Sequence, residues 1–242
     1  MQVYNLPIIS NKEIFKGVFL LSVETEIKFL PGQFANFAID GFTLRRPISI
    51  HDQENGEASF IYRVVGEGTK AMAALKSGET INTLMPLGNC FDNNTNMPLL
   101  IGGGMGIAPL KYLARIFRKD NITPQIILAG RNKDEVEWFY NDLQGFGDIS
   151  VATDDGSMGF KGRADEYLKS LDIKGKYYYC CGPTPMLKAI AKSNDFGELS
   201  LEARMGCGFG ACMGCSIKTT NGPQRVCKEG PIFPAKEVIF DD

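Results

Sequence analysis

The sequence predicts a β plus α/β protein, in which an N-terminal antiparallel β-barrel precedes a central domain built on a parallel sheet and a small C-terminal loop region. Short β-rich runs fill the first part of the chain, apolar strands then alternate with helical spacing, and cysteine and glycine concentrate near the C-terminus. These changes of pattern predict domain boundaries at 1–95, 96–197 and 198–242 in a chain of 242 residues.

The barrel is predicted from runs rich in β-branched and aromatic side chains, which glycine, proline and polar turns separate. Short strands at this spacing are typical of a small barrel. After the GEG at 66–68 we expect one short helix that turns Met72 and Leu75 inward. The predicted strands are KGVFLLSVE, GQFANFAI, RRPISIHD, ASFIYRVV and ETINTLMPLG.

The parallel sheet is predicted from MPLLIGGGMGIAPLKYLARIFRKD onward, where an apolar strand at 99–101 runs into glycines and then a helix. PQIILAG, DISVATD and KYYYCCG are predicted as further strands, with helical stretches after Lys133, near Ala164 and after Thr184. Repeated alternation of strand and helix implies a parallel sheet covered by helices, with ligands at the carboxyl ends of the strands.

Composition and charge are those of an ordinary globular protein. Hydrophobic residues make up 44% and the net charge is −2, which gives no reason to expect a nucleic acid or an anionic membrane as partner. The start MQVYNLPIIS has no basic region followed by a sustained apolar stretch, so we expect no signal peptide and a cytoplasmic location. Reducing conditions there disfavour structural disulfides. The single histidine, His51, is expected to be structural or exposed.

The C-terminal cysteines follow the order C-x4-C-x2-C-x11-C at Cys207, Cys212, Cys215 and Cys227. This spacing is that of plant-type ferredoxin loops around a [2Fe–2S] cluster, and the glycines between the cysteines allow a loop to close around a compact cluster. Zinc is an alternative, although structural zinc sites usually pair two short CxxC knuckles. A glycine-rich loop with incidental thiols is another. The remaining cysteines, 90, 180 and 181, fit buried small residues better than ligands.

The segments RRPISI and IYRVVGEGT offer groups that bind phosphate. Arg46 can contact a phosphate with both arms of its guanidinium, Ser49 adds a hydroxyl, and Gly68 and Thr69 precede a helix whose amides can face a pyrophosphate. A merely solvated surface arginine is the competing interpretation.

Three strand ends of the α/β domain carry a second set of candidate residues. GGGMGIAP at 102–109 lets a dinucleotide approach the backbone, although it does not match GxGxxG and is also compatible with a tight turn without ligand. CCGPTPM at 180–186 shapes a turn beside which a nicotinamide can lie. Asp154 in TDDG can accept a hydrogen bond from an adenosine ribose, which favours NAD over NADP, or simply form a turn.

In combination, RPxS, GGGxGIAP and CGPxPM resemble the ferredoxin-reductase superfamily, which binds FAD on a barrel and NAD(P) on an α/β domain. With LEARMGCGFGACMGC after them, the chain resembles the electron-transfer subunits of class 1B dihydroorotate dehydrogenases over essentially its whole length. The resemblance implies a nucleotide-binding central domain and a C-terminal iron–sulfur loop domain. It implies FAD contacts at Arg46, Pro47, Ile48, Ser49, Ile61, Tyr62, Arg63, Gly68 and Thr69, NAD contacts at Gly102, Gly103, Gly104, Gly106, Cys181, Gly182 and Pro183, and cluster ligands at the four cysteines.

The resemblance also implies a partner. Electrons from the FMN of a separate dihydroorotate dehydrogenase catalytic subunit would reach NAD+ by way of the cluster and FAD, in pyrimidine (UMP) biosynthesis, within a heterotetramer of two copies of each subunit. We expect no catalytic acid or base in this chain. The rivals are the same module serving a sulfide dehydrogenase, a hydrogenase or a ferredoxin:NADP oxidoreductase, and a redox sensor without catalytic turnover.

Overall fold

The fold was described from a computed structural model, which describes residues 1–240. Within them six antiparallel strands close a barrel in the order β1-β2-β5-β4-β3-β6, which confirms the predicted N-terminal barrel. Helix α1 follows β5 and buries Met72 completely, while Leu75 is half-buried against the barrel core. These elements are β1 (Gln2–Phe15), β2 (Val18–Glu24), β3 (Phe34–Phe37), β4 (Arg46–Glu54), β5 (Glu57–Arg63), α1 (Glu67–Ala73) and β6 (Thr80–Leu87).

Strand β1 was not predicted. Its sequence mixes Asn, Lys, Glu and a proline with apolar residues, and only Leu6 and Ile8 are buried, so the alternation typical of strands is weak. The strand forms because it pairs along one part of its length with β6 and along the other with β2. It thereby closes the barrel.

A parallel sheet forms the second part of the chain, as predicted. The described residues give it the order β10-β9-β8-β7-β11-β12-β15, in which only β15 runs antiparallel. A 3-10 turn at Gly104–Ile107 separates the first strand from its helix. The elements are β7 (Pro98–Gly103), α2 (Leu110–Lys119), β8 (Gln125–Gly130), α3 (Lys133–Asp142), β9 (Asp148–Thr153), β10 (Phe160–Lys161), α4 (Ala164–Leu168), β11 (Tyr177–Cys181), α5 (Thr184–Ser193), β12 (Gly197–Ser200) and β15 (Ile232–Pro234).

The C-terminal region is tied into this sheet. Strand β12 crosses the predicted boundary between 197 and 198, and β15 adds to its edge. Between them the chain forms the cysteine loop and a hairpin of β13 (Ser216–Thr219) and β14 (Gly222–Arg225). The domain boundaries stay predictions, and the last two residues of the predicted 198–242 region lie outside the described residues.

Three hydrophobic cores hold the parts together. One fills the barrel, a second joins the barrel residues Val18 and Ile61 to one face of the sheet, and a third joins Phe34 and Leu87 to the other face. The third core also contains Cys215 and Cys227, so the cysteine loop packs directly against the outside of the barrel. No helix among residues 1–240 is long and apolar enough to cross a membrane.

Candidate functional site

A cleft of about 960 Å³ lies along the carboxyl ends of the parallel strands. The turns after β7, β8, β9 and β11 line the cleft, together with strand β13 of the C-terminal hairpin. This is the edge at which open α/β sheets bind nucleotides. The predicted residues Gly103, Gly104, Gly106, Asp154, Gly182 and Pro183 all line it.

The turn after β7 packs tightly against the turn after β11. A side chain at Gly106 would overlap the backbone carbonyl of Cys181, and Gly104 has a φ of 54°, which favours glycine. Packing alone therefore requires part of the GGGMG sequence. The same packing brings the two predicted nicotinamide segments together at the floor of the cleft.

Cys181 itself faces the protein interior. It is 2% exposed, and burial raises the pKa of its thiol to about 12, so the thiol stays protonated. Gly102 is likewise buried in β7. Any NAD contact from these two residues has to come from their backbone, and such contacts stay predictions.

Charged side chains that sequence reasoning missed surround Asp154 at the far end of the cleft. Arg131 follows β8, and its Nε lies 2.8 Å from Oε1 of Glu135. Arg163 precedes α4 and binds Asp165 through two bonds of 3.0 Å. All five residues line the cleft. The signal in the sequence was an arginine directly after a strand, in AGRN.

On the barrel, Arg46 and Gly68 come together although they lie on β4 and α1. The guanidinium of Arg46 occupies the space where a side chain at position 68 would stand, and it lies 5.1 Å from the ring centre of Phe42. A guanidinium held against a glycine in the first turn of a helix can contact a phosphate there. The Thr69 hydroxyl does not take part in this contact, because it accepts hydrogen bonds from the backbone amides of Val65 and Gly66.

The remaining predicted FAD residues lie on two strands and do not share one face. In β4, Pro47 pairs with Asn36 and Ser49 with Phe34, which faces out of the barrel, whereas Ile48 packs toward the barrel core. In β5, Ile61 faces the α/β domain and Tyr62 lies in the barrel core. The Tyr62 hydroxyl donates to Asn11, and Arg63 lines the cleft. FAD contacts from Ile48, Ile61 and Tyr62 stay predictions.

The four cysteines of the C-terminal loop converge as two pairs. The thiols of Cys207 and Cys212 interact, as do those of Cys215 and Cys227, and Cys227 also interacts electrostatically with Cys207. This arrangement of two thiol pairs matches a [2Fe–2S] cluster, in which each of the two irons takes two protein ligands. Within residues 1–240 no three His, Cys, Asp or Glu side chains are arranged to hold one metal ion, whereas structural zinc needs four ligands around one point.

Backbone amides of the loop point at the thiol of Cys207. Burial raises the pKa of Cys207, but the N–H groups of Phe209, Cys212 and Ala211 outweigh it and lower the pKa from 9.0 to about 6. The amide of Ala211 lies 3.2 Å from the sulfur. Donors placed in this way stabilise the thiolate that ligates iron. The donor set therefore fits the cluster.

Asn36 links the barrel to the cysteine loop, and sequence reasoning missed it. A β-bulge precedes Asn36 in β3, and its side chain points out of the barrel. The residue is 1% exposed, and its side-chain amide donates a hydrogen bond to the backbone carbonyl of Cys207 over 3.4 Å. A side chain at Gly208 would overlap the Asn36 amide. The only signal in the sequence was one amide in the apolar run FANF.

Comparison with known proteins places the chain among proteins with these features. Residues 202–239 match the family model described as the iron–sulfur cluster binding domain of dihydroorotate dehydrogenase B. The electron transfer subunit of dihydroorotate dehydrogenase B (NAD(+)) from Fusobacterium nucleatum subsp. nucleatum is 43% identical over 93% of this chain and 91% of its own. The subunit of the same name from Clostridium acetobutylicum is 36% identical, over 96% and 95%.

Solved structures agree on the fold. A chain from the structure of the NADH-dependent reduced ferredoxin-NADP oxidoreductase superimposes with a TM-score of 0.86 and 27% identity, covering 98% of this chain and 90% of that chain. The ferredoxin reductase of carbazole 1,9a-dioxygenase matches with a TM-score of 0.67 and 20% identity, over 79% and 64%, and so shares the fold.

Proposed function

Because the chain belongs to the family of electron transfer subunits of dihydroorotate dehydrogenase B, we propose that it carries electrons from dihydroorotate oxidation in a partner catalytic subunit to NAD+. The observation that carries the proposal is the pairing of the four cysteines beside a reductase barrel and a dinucleotide cleft. In this role the protein acts in the synthesis of pyrimidines.

FAD and the [2Fe–2S] cluster, when bound, would supply hydride transfer to a nicotinamide and single-electron transfer. The protein holds and orients them. Cys207 and Cys212 would ligate one iron and Cys215 and Cys227 the other. Arg46 would bind the FAD pyrophosphate beside Gly68, with Ser49 adding a hydroxyl on the outer face of β4.

The cleft would hold NAD with its nicotinamide end between the turns after β7 and β11, where Gly103, Gly104, Gly106, Gly182 and Pro183 expose backbone. Its adenosine end would lie at Asp154, whose carboxylate accepts from a ribose hydroxyl. The flavin takes up a proton when single electrons reduce it, and that proton would come from solvent. The acid–base chemistry of dihydroorotate oxidation is assigned to the catalytic subunit.

We further propose that the partner carries FMN and that two copies of each subunit assemble. An interface with the partner at the cysteine loop is supported by exposed residues. Cys212 is exposed, and its neighbours Phe209 and Met213 are 43% and 50% exposed. Apolar side chains displayed around a redox centre are typical of a surface that another protein covers.

The decisive experiment mixes this protein, loaded with FAD and cluster, with the FMN-bearing dehydrogenase from the same genome. NADH formation from dihydroorotate that requires both chains would support the proposal. The C212S variant should abolish it while keeping NADH oxidation by an artificial acceptor, and C90S, outside the loop, should change neither. Full cofactor content, reduction by NADH and no turnover with dihydroorotate would overturn the pyrimidine role and leave a reductase for another partner.

A further inference from the structure

Arg131 lies where it could bind a phosphate at the adenosine end of the cleft, but it already pairs with the carboxylate of Glu135. Arg131 is exposed at the mouth of the cleft, and Oε1 of Glu135 accepts from both its Nε, at 2.8 Å, and its Nη2. The second carboxylate oxygen accepts from the Arg131 backbone amide at 3.0 Å. Both carboxylate oxygens of Glu135 thus accept hydrogen bonds from Arg131.

A second arginine at the same end is held in the same way. The Nε and Nη2 of Arg163 donate to the two carboxylate oxygens of Asp165, at 3.0 Å each, and Asp165 is nearly buried. Asp154 lies close enough to influence both arginines electrostatically. Three carboxylates, Glu135, Asp165 and Asp154, therefore face these two guanidinium groups, and Arg63 also lines the cleft and acts electrostatically on Glu135.

This balance bears on which dinucleotide the cleft accepts. NAD and NADP differ by one phosphate on the adenosine ribose, and proteins that take NADP present an arginine to it, whereas those that take NAD present a carboxylate to the ribose hydroxyl. An arginine whose Nε and Nη2 are held by its own carboxylate has its charge balanced there and keeps only Nη1 and one hydrogen of Nη2 for a second anion. A bare carboxylate beside it repels a phosphate.

We propose that Glu135 is a specificity-determining residue: it pairs with Arg131 and so weakens the binding of a 2′-phosphate in the cleft. Asp154 would supply the contact to the ribose, and Glu135 would weaken the contact to the phosphate. The inference rests on the proposed dinucleotide function of the cleft. It deepens that function by assigning nucleotide selection to a paired guanidinium rather than to Asp154 alone.

A structural role for Glu135 also has to be weighed. It stands in the first turn of α3, where Asn132 caps the helix by accepting from the Glu135 amide at 3.3 Å. An acidic side chain there stabilises the helix through its dipole. Loss of that role would lower the unfolding temperature and weaken all nucleotides alike. It would not change the ratio between a nucleotide with a 2′-phosphate and one without it.

The experiment measures the binding of adenosine 2′,5′-bisphosphate and of 5′-AMP to the FAD-loaded protein by calorimetry, which needs neither partner subunit nor turnover. For E135Q, which keeps the size of the side chain and removes its charge, we expect the bisphosphate to bind about fivefold to tenfold more tightly and 5′-AMP to bind unchanged. E137Q is the matched control, because it removes the same charge from the same helix outside the cleft. The double variant R131A/E135Q should lose the gain.

The inference is overturned if E135Q leaves the preference unchanged, or if E137Q or R131A/E135Q shows the same gain. Failure of the wild-type protein to bind 5′-AMP would instead count against the proposed nucleotide site itself. The ratio of NADPH to NADH oxidation with an artificial acceptor should rise in E135Q by the same factor.

Discussion

The side-chain amide of Asn36 donates a hydrogen bond to the backbone carbonyl of Cys207 over 3.4 Å. Asn36 also pairs across the sheet with Pro47, which belongs to the strand predicted to bind FAD. One buried side chain thus stands between a proposed cluster ligand and the strand predicted to bind FAD. We expect the relative position of the two proposed redox centres to depend in part on this contact.

N36A should loosen the cluster loop. One hydrogen bond contributes about 1 kcal/mol, so loss of the cluster should be about fivefold faster. The measurement is the decay of the cluster's visible absorbance in excess chelator. N5A, which removes an exposed amide from the same barrel, is the control. Equal decay rates for N36A and the wild type would refute the anchoring role.

G68A should weaken FAD binding without unfolding the protein. The new methyl group would overlap the guanidinium of Arg46, whose flexible side chain can move away but would then leave the phosphate. A charge-assisted hydrogen bond is worth about 1.5–3 kcal/mol, so the FAD dissociation constant should rise about tenfold to a hundredfold.

G66A is the matched control for G68A, because no atom lies within 4 Å of a side chain added at Gly66. Flavin content after gel filtration and fluorescence titration of the apoprotein report the effect. If G68A retained flavin as firmly as G66A, Arg46 would not hold the pyrophosphate.

Sequence analysis predicted the elements whose signal is local. The strands of the α/β domain are continuous apolar runs because helices cover both faces of the sheet, and the four cysteines have a diagnostic spacing because one short stretch of chain supplies them. Strand β1 was missed because its partners, β2 and β6, supply the order that its own sequence lacks.

Contacts between segments that are far apart in the chain could not be predicted from the sequence, for the same reason. Asn36 and Cys207 are 171 residues apart, and the local sequence around either residue does not indicate a contact with the other. The pairing of Arg131 with Glu135 is local, yet four-residue charge pairs are common on helices, and only the cleft gives this pair a meaning. The predicted run Ile61, Tyr62 and Arg63 lies in a strand, which turns successive side chains to opposite faces, and the FAD contacts of these residues stay predictions.

The single histidine is part of a buried charge network between the barrel and the α/β domain. His51 is 2% exposed, its Nδ1 lies 2.7 Å from the Ala108 carbonyl and its Nε2 lies 3.2 Å from Asp142. Lys111 reaches the other oxygen of Asp142 at 2.5 Å. Burial opposes ionisation of this carboxyl, but His51 and Lys111 outweigh it and hold the pKa of Asp142 below 3.8.

D142N should therefore destabilise the protein by about 3 kcal/mol, because it removes the carboxylate that faces His51 and leaves the buried Lys111 with only Asp52, 3.8 Å away. A carboxyl with a lowered pKa stabilises the fold above its ordinary pKa and loses that effect as the pH falls. The gap between D142N and the wild type should be constant near neutrality and narrow below about pH 4. Urea denaturation measures it, with E137Q on the same helix as control. A gap that widened in acid would contradict this account.

Glu198 on β12 should have the opposite pH dependence. It is 8% exposed, and although the Asp92 amide donates to it at 3.0 Å, burial raises the pKa of Glu198 from 4.5 to about 7. Between these two values the folded protein holds a proton that the unfolded chain has released. Stability therefore falls as the pH rises through this window, by about 3 kcal/mol for a shift of this size.

E198Q should remove that loss, since glutamine is neutral at every pH and its carbonyl can still accept from the Asp92 amide. At about pH 8 the variant should be more stable than the wild type by about 2–3 kcal/mol, and at about pH 4.5 the two should be nearly equal, because the wild-type carboxyl is then protonated when folded. E24Q, at an exposed position of β2, should show no such trend. A stabilisation of E198Q that was the same at both pH values would show that the gain comes from packing rather than from the buried charge.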